Sequence, residues 1–247
     1  MKTFGLIIVI ALTLTSCADK HEGEQKTGLL SNLVSITDNE DKGVKEILDY
    51  YGGQCKYAIG ASASTDTGSK KYFELEMSKS DPFEKYAQIV EMPASNVAYL
   101  FYKNLKDEKT KYDEIHTVVV FNDGTKKTFV FDPSQLELVV KAMPSVLKVV
   151  DILKSKNYQS LSPILNDSTL MQYDKKGLIA NIEKMDPQFG NIKEFIPYGF
   201  RFKNLDNGKR VLHISGALMR DKQSNEFSID LNPDSSTDEI YLLQYQL

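Results

Sequence analysis

EFIPYGFRFKNLDNGKRVLHISGALMR, residues 194–220, decides the fold. Tyr198, Phe200 and Phe202 recur at every second position, and so do Val211, His213 and Ser215. A period of two is the signature of a strand, whose side chains point alternately to opposite faces. Leu205-Asp206-Asn207-Gly208 separates the two runs and predicts a hairpin turn. NEFSIDLN (225–232) and DEIYLLQYQL (238–247) continue the pattern. Four strands with short connections predict one antiparallel sheet.

Helical patterns precede these strands. PSVLKVVDILKSK (144–156) leads into a short turn, NYQSLSPIL (157–165). KKGLIANIEKM (175–185) then places Leu178, Ile179, Ile182 and Met185 on one face. Helices followed by four long strands describe a curved sheet wrapped on helices. Over residues 144–247 this element order resembles the cone-shaped α+β fold of the nuclear transport factor two family, with cystatin-like folds as near neighbours. The resemblance implies a concave pocket on the sheet, for which Tyr198, Arg201, His213 and Asp230 are the polar candidates. It implies no reaction, because no catalytic motif of that family can be matched position by position. A single His or Asp on a strand is expected on the solvent face.

The first half carries its own sheet. VKEILDYY (44–51) has the i, i+3, i+4, i+7 stripe of an amphipathic helix, and Gly52-Gly53 stops it. Alternating runs at 55–64 and 70–78 flank the turn TDTGS. A short helix follows Asp81-Pro82, and a second helix covers Ala94 to Leu105. EIHTVVVF and KKTFVF form a hairpin across Asn122-Asp123-Gly124, and Asp132-Pro133 opens a further helix. Pro144 interrupts that helical pattern. A proline inside a helix costs roughly 3 kcal/mol but is tolerated at a helix start. A domain joint is therefore expected at Pro144. The chain reads as an α+β protein of two antiparallel-sheet domains: 43–143, with order α-β-β-α-β-β-α, and 144–247, helices and then four strands.

The start of the chain, MKTFGLIIVIALTLTSC, has another character. Lys2 precedes an uncharged, mostly apolar run from Phe4 to Leu14, too short for the roughly 20 residues of a spanning helix. It closes on Leu14-Thr15-Ser16-Cys17, which resembles the lipobox of bacterial lipoproteins. The resemblance implies cleavage of residues 1–16 as a signal peptide and acylation of Cys17 by diacylglycerol and, on the new amine, a fatty acyl group such as palmitate. Several acyl chains anchor stably where one binds marginally. Residues 17–42, in which Cys17 is followed by ADKHEGEQKTG and which end in DNEDK, then read as a lipidated tether and linker. Ala18 stands where aspartate would imply inner-membrane retention, so the address is the cell envelope, at the outer membrane. Asp19, Glu22 and Glu24 loosely match a surface-export signal of Bacteroidota, which leaves the leaflet open.

Composition excludes some functions. A net charge of −4 and short Lys pairs argue against nucleic acid, whose phosphates demand a concentrated basic surface. With Cys17 acylated, Cys55 has no partner for an intrachain disulfide and is expected to be buried and inert. Glu114 and His116 share a strand face, but two residues fall short of a zinc site, so no metal or other cofactor is expected. Phosphate-binding loops and nucleophile elbows are missing from the sequence. Asp167-Ser168-Thr169 resembles the O-glycosylation pattern of Bacteroidota, which would place a glycan on Ser168. The leading expectation is a non-enzymatic envelope lipoprotein that binds a protein partner as an accessory module. Small-ligand binding through the C-terminal pocket is the alternative, and an enzyme with an unrecognised site comes last.

Overall fold

The structure is a computed structural model that describes residues 35–64, 68–167, 174–205, 208–233 and 239–245. Cys17, Ser168 and most of the expected tether lie outside these residues. The fold is α+β with two four-stranded sheets. Its elements run α1 (Asp38–Tyr51), β1 (Gln54–Ser64), β2 (Gly68–Ser78), α2 (Asp81–Lys85), α3 (Glu91–Asn104), β3 (Glu114–Val120), β4 (Lys126–Phe131), α4 (Pro133–Lys154), α5 (Lys175–Met185), β5 (Ile192–Asn204), β6 (Arg210–Arg220), β7 (Asn225–Leu231) and β8 (Ile240–Tyr245).

DNEDKG, expected to be linker, forms the opening turns of α1. Thr37 and Glu40 make a reciprocal capping box that satisfies two otherwise unpaired backbone donors. Glu40 is fully buried and accepts from Lys111 Nζ and Tyr112 Oη, each at 2.6 Å. Burial would raise its carboxyl, but the bonds from Lys111, Tyr112 and Thr37 outweigh that and hold it below its ordinary value. The polar start of α1 is thus tied to the body by its own charge.

In the first sheet, β1–β2 and β3–β4 pair antiparallel, as expected. β2 and β3 pair parallel, which makes the sheet mixed and corrects the antiparallel reading of the first half. Parallel neighbours need a long crossover, and α2 and α3 supply it. Strand periodicity fixes which face is buried but carries no information on direction.

The helix beginning at Pro133 does not stop at Pro144: α4 is one helix of 22 residues. Its buried stripe comprises Leu136, Val139, Met143, Val146, Val149, Val150 and Leu153. Seven such side chains at ~1.5–3 kcal/mol each outweigh the ~3 kcal/mol of one interior proline. No new helix starts at Pro144. A single hydrophobic core contains Phe73, Leu75 and Ile115 of the first sheet together with Phe200, Ile214 and Ile229 of the second. α3 contacts both sheets, and its residues from Met92 to Tyr102 are buried. A helix apolar on all sides belongs inside a core.

The four C-terminal strands form the expected antiparallel sheet in sequential order. A buried ion pair fastens it to the end of α5. Arg220 meets Asp186 at 2.5 Å and also donates to the Gly190 carbonyl and Asn225 Oδ1, while Tyr158 donates to the other oxygen of Asp186.

β5 is an edge strand, and α3 covers it. Ser95 Oγ accepts from the Phe200 amide at 2.8 Å and donates to the Met92 carbonyl at 2.7 Å. Tyr50 donates to the Pro197 carbonyl. Gly199, at φ +153°, lies so close that a Cβ there would overlap the Met92 carbonyl oxygen and Ser95 Oγ. Only glycine meets both demands. Gly199→Ala should therefore cost on the order of 3 kcal/mol and lower Tm by roughly 6–12 °C in a thermal melt. A Tm within about 2 °C of wild type would refute the tight contact.

Candidate functional site

A cleft of ≈ 790 Å³ opens between the C-terminal end of α1, the α2–α3 connection and the second sheet. That is the size range of small-molecule pockets. Tyr50, Tyr86, Ile89 and Met92 line the helical side, and Ile196, Tyr198, Arg201, His213 and Ser215 line the strand side. A second groove of ≈ 810 Å³ runs along Leu147 and Asp151 of α4, is more open, and includes none of the sequence candidates.

Three of the four candidates line the cleft: Tyr198, Arg201 and His213. Their placement follows from strand register. Arg201 sits opposite His213, and His213 opposite Asp230, so β5, β6 and β7 present them in one row. The opposite face of the same strands carries Phe200, Ile214 and Ile229 into the core. Tyr198 departs from the alternation that would group it with Phe200. The register shifts between Pro197 and Gly199, and this bulge leaves Tyr198 in the cleft rather than in the core.

Asp230 does not line the cleft; it stands behind His213. Both residues depart from the solvent-face expectation, being 3% and 8% exposed. Buried polar groups need partners. His213 Nδ1 lies 2.6 Å from Asp230 Oδ1, and Lys203 Nζ lies 2.9 Å from Asp230 Oδ2. Burial would raise the Asp230 carboxyl, yet the bonds from His213 and Lys203 prevail and hold it below its ordinary value. An ionised carboxylate only accepts hydrogen bonds, so the Nδ1–H of His213 donates and Nε2 is left uncommitted. Lys203 was not among the candidates; its partner becomes visible only once β5, β6 and β7 are aligned.

The phenols complete the wall. Tyr86 and Tyr198 lie 6.0 Å apart, centroid to centroid, in a tilted pair. Burial first, and then the neighbouring Tyr86, push the Tyr198 hydroxyl above its ordinary value. Burial does the same for Tyr50, helped by Tyr198 and Glu194. The Tyr50 and Tyr198 hydroxyls are therefore neutral donors and acceptors at neutral pH. The Arg201 guanidinium meets no carboxylate among the described residues.

Elsewhere, the expected features resolve into packing. Cys55 is fully buried, and burial, with Glu76 contributing, pushes its thiol up to about 12. His116 Nε2 lies 2.8 Å from Glu114, its ring stacks on Tyr72 at 4.3 Å, and Lys70 takes the other carboxylate oxygen. Among the described residues no group of three or more metal-ligating side chains converges. No protein-family model, curated protein or solved structure matches the chain.

The Asp230 cluster has a pH signature. A carboxyl held below its unfolded value contributes stability above that value, about 3.9, and loses it as pH falls through the folded one. Asp230→Asn should cost about 2 kcal/mol in denaturant unfolding at pH 7. The gap from wild type should shrink as pH falls below about 4. An undiminished gap at pH 3 would refute the ionic account.

Proposed function

We propose that this protein is a lipid-anchored lipoprotein of the cell envelope, at the outer membrane, and that it binds a small ligand in the Tyr198–Arg201–His213 cleft. The cleft carries the reading: it gathers aromatic surface and uncommitted polar groups in one concavity, the combination by which small-molecule sites hold and orient a ligand. The His213–Asp230 pair holds an imidazole in a fixed orientation at the cleft wall. Binding to a protein partner, favoured by a tether and open sheet edges alone, would leave Arg201 and the tyrosine wall without a purpose.

The anchor rests on the Leu14-Thr15-Ser16-Cys17 box. Among the described residues no helix is long and apolar enough to cross a membrane. Acylated Cys17 supplies the attachment in this reading.

Two experiments divide the proposal. Cys17→Ala should abolish labelling by a fatty-acid analogue and leave an uncleaved precursor; persistent labelling would sink the anchor. Native mass spectrometry of the full chain, extracted mildly from cells, should show a bound small molecule. Ser215→Phe, which adds bulk on the strand wall, should reduce its occupancy at least tenfold. Equal occupancy in the two proteins would remove the cleft from the account, and so would a wild-type protein free of ligand.

A further inference from the structure

We propose that the ligand of the cleft is an amphipathic organic anion, a carboxylate joined to an elongated apolar body, with its charged head at Arg201 and its body along the tyrosine wall. The inference rests on the ligand-binding reading and adds the chemical class and direction of the ligand.

The head-group position follows from which charges are already taken. Asp230 gives one oxygen to His213 and the other to Lys203. The negative charge nearest to Arg201 in the strand row is thus consumed, and Arg201 keeps its own. A guanidinium presents a planar fork of donors that matches a carboxylate with two parallel bonds. His213 stands directly across the strand pair from Arg201 and gives its Nδ1–H to Asp230, so neither residue brings a free carboxylate to Arg201. Arg201 is thus the donor fork offered to an anion's oxygens, while Lys127, also in the cleft lining, donates its Nζ to the Ala87 carbonyl.

Direction follows from the other end. Glu226 also lines the cleft and pairs with Ala217, four residues along β6 from His213. Four residues of strand span about 13 Å. Glu226 makes no side-chain ion pair among the described residues, so its charge repels a carboxylate from that end. Tyr198 and Tyr86 share the cleft lining with these groups, and Ile89 beside them is 57% exposed although it is a large apolar side chain. An apolar body laid there removes that surface from water.

The probes are 8-phenyloctanoate, 8-phenyloctan-1-ol and 8-phenyloctylamine, which share one body and differ in the head. Each is titrated calorimetrically into the full chain in lipid nanodiscs, with empty discs subtracted. The acid should bind at least tenfold tighter than the alcohol, and the amine weakest. Arg201→Gln should weaken the acid roughly 10- to 100-fold and shift the alcohol less than twofold. Arg201→Lys should fall between, since it keeps the charge and loses the fork. Glu226→Gln, which removes the repelling charge, should tighten acid binding, and a weakened acid would overturn the direction. Arg201 and Glu226 are solvent-exposed, so circular dichroism of these variants should match wild type. Equal binding of acid and alcohol, or an acid affinity indifferent to Arg201, would overturn the anion inference while leaving a cleft that binds. Preference for the amine would overturn the anion inference. Failure of all three probes would overturn the ligand class, and the mass-spectrometric occupancy would then decide the cleft by itself.

Discussion

The contact between the β5 edge and the first turns of α3 sets the geometry of everything else. An edge strand leaves backbone donors and acceptors unpaired, and burying them without partners costs more than the burial returns. Ser95 and Tyr50 take up two of these groups, at Phe200 and Pro197. Gly199 permits the approach because it has no Cβ to strike the Met92 carbonyl. The same helices that close this edge pack with their other faces on the first sheet. The two sheets therefore share one core, although the sequence pattern led to the expectation of a domain joint at Pro144.

That contact also builds the cleft. Its helical wall is the end of α1 and the start of α3, and its other wall is the strand row beyond the Pro197–Gly199 bulge. A bulge changes which way a side chain points, and here it takes Tyr198 out of the core series. One local irregularity therefore closes the sheet edge and furnishes the site. Two arginines of the same sheet show how differently it treats charge. Arg220 is buried and partnered with Asp186, Gly190 and Asn225, which is structural use. Arg201 is exposed at the cleft and meets no carboxylate among the described residues, which is the condition for binding something from outside.

Legibility in the sequence followed the range of each interaction. The four C-terminal strands, α5 and the Asn122-Asp123-Gly124 hairpin depend on patterns within a few residues, and all were readable. The start of α1 was also local, since Thr37 and Glu40 stand at capping-box spacing, but the charge of DNEDKG masked it. Continuity of α4 through Pro144 was not readable, because the burial that offsets the proline comes from partners distant in sequence. The parallel β2–β3 pairing was hidden for the same reason. Of the site, the residue types were legible and their relations were not. His213 and Asp230 are 17 positions apart, and only the register of β6 on β7 makes them a pair.

The position of the cleft on α1 bears on how a tethered protein would present it. The described chain enters the fold at the N-terminal end of α1, where Thr37 caps the helix, and the cleft is lined by Tyr50 and Tyr51 at the other end. Fourteen residues of helix separate these ends by about 21 Å. With Cys17 as anchor, the attachment joins α1 at the end away from the cleft. The capping box and the buried Glu40 hold that end in place through Lys111 and Tyr112. Tension on the tether would thus act on the body at Thr37 and Glu40, while the cleft walls are held by a separate set of contacts, Ser95 to Phe200 and Tyr50 to Pro197. In the proposed reading, anchoring and binding would occupy opposite ends of one helix and rely on different bonds, so neither would have to give way to the other.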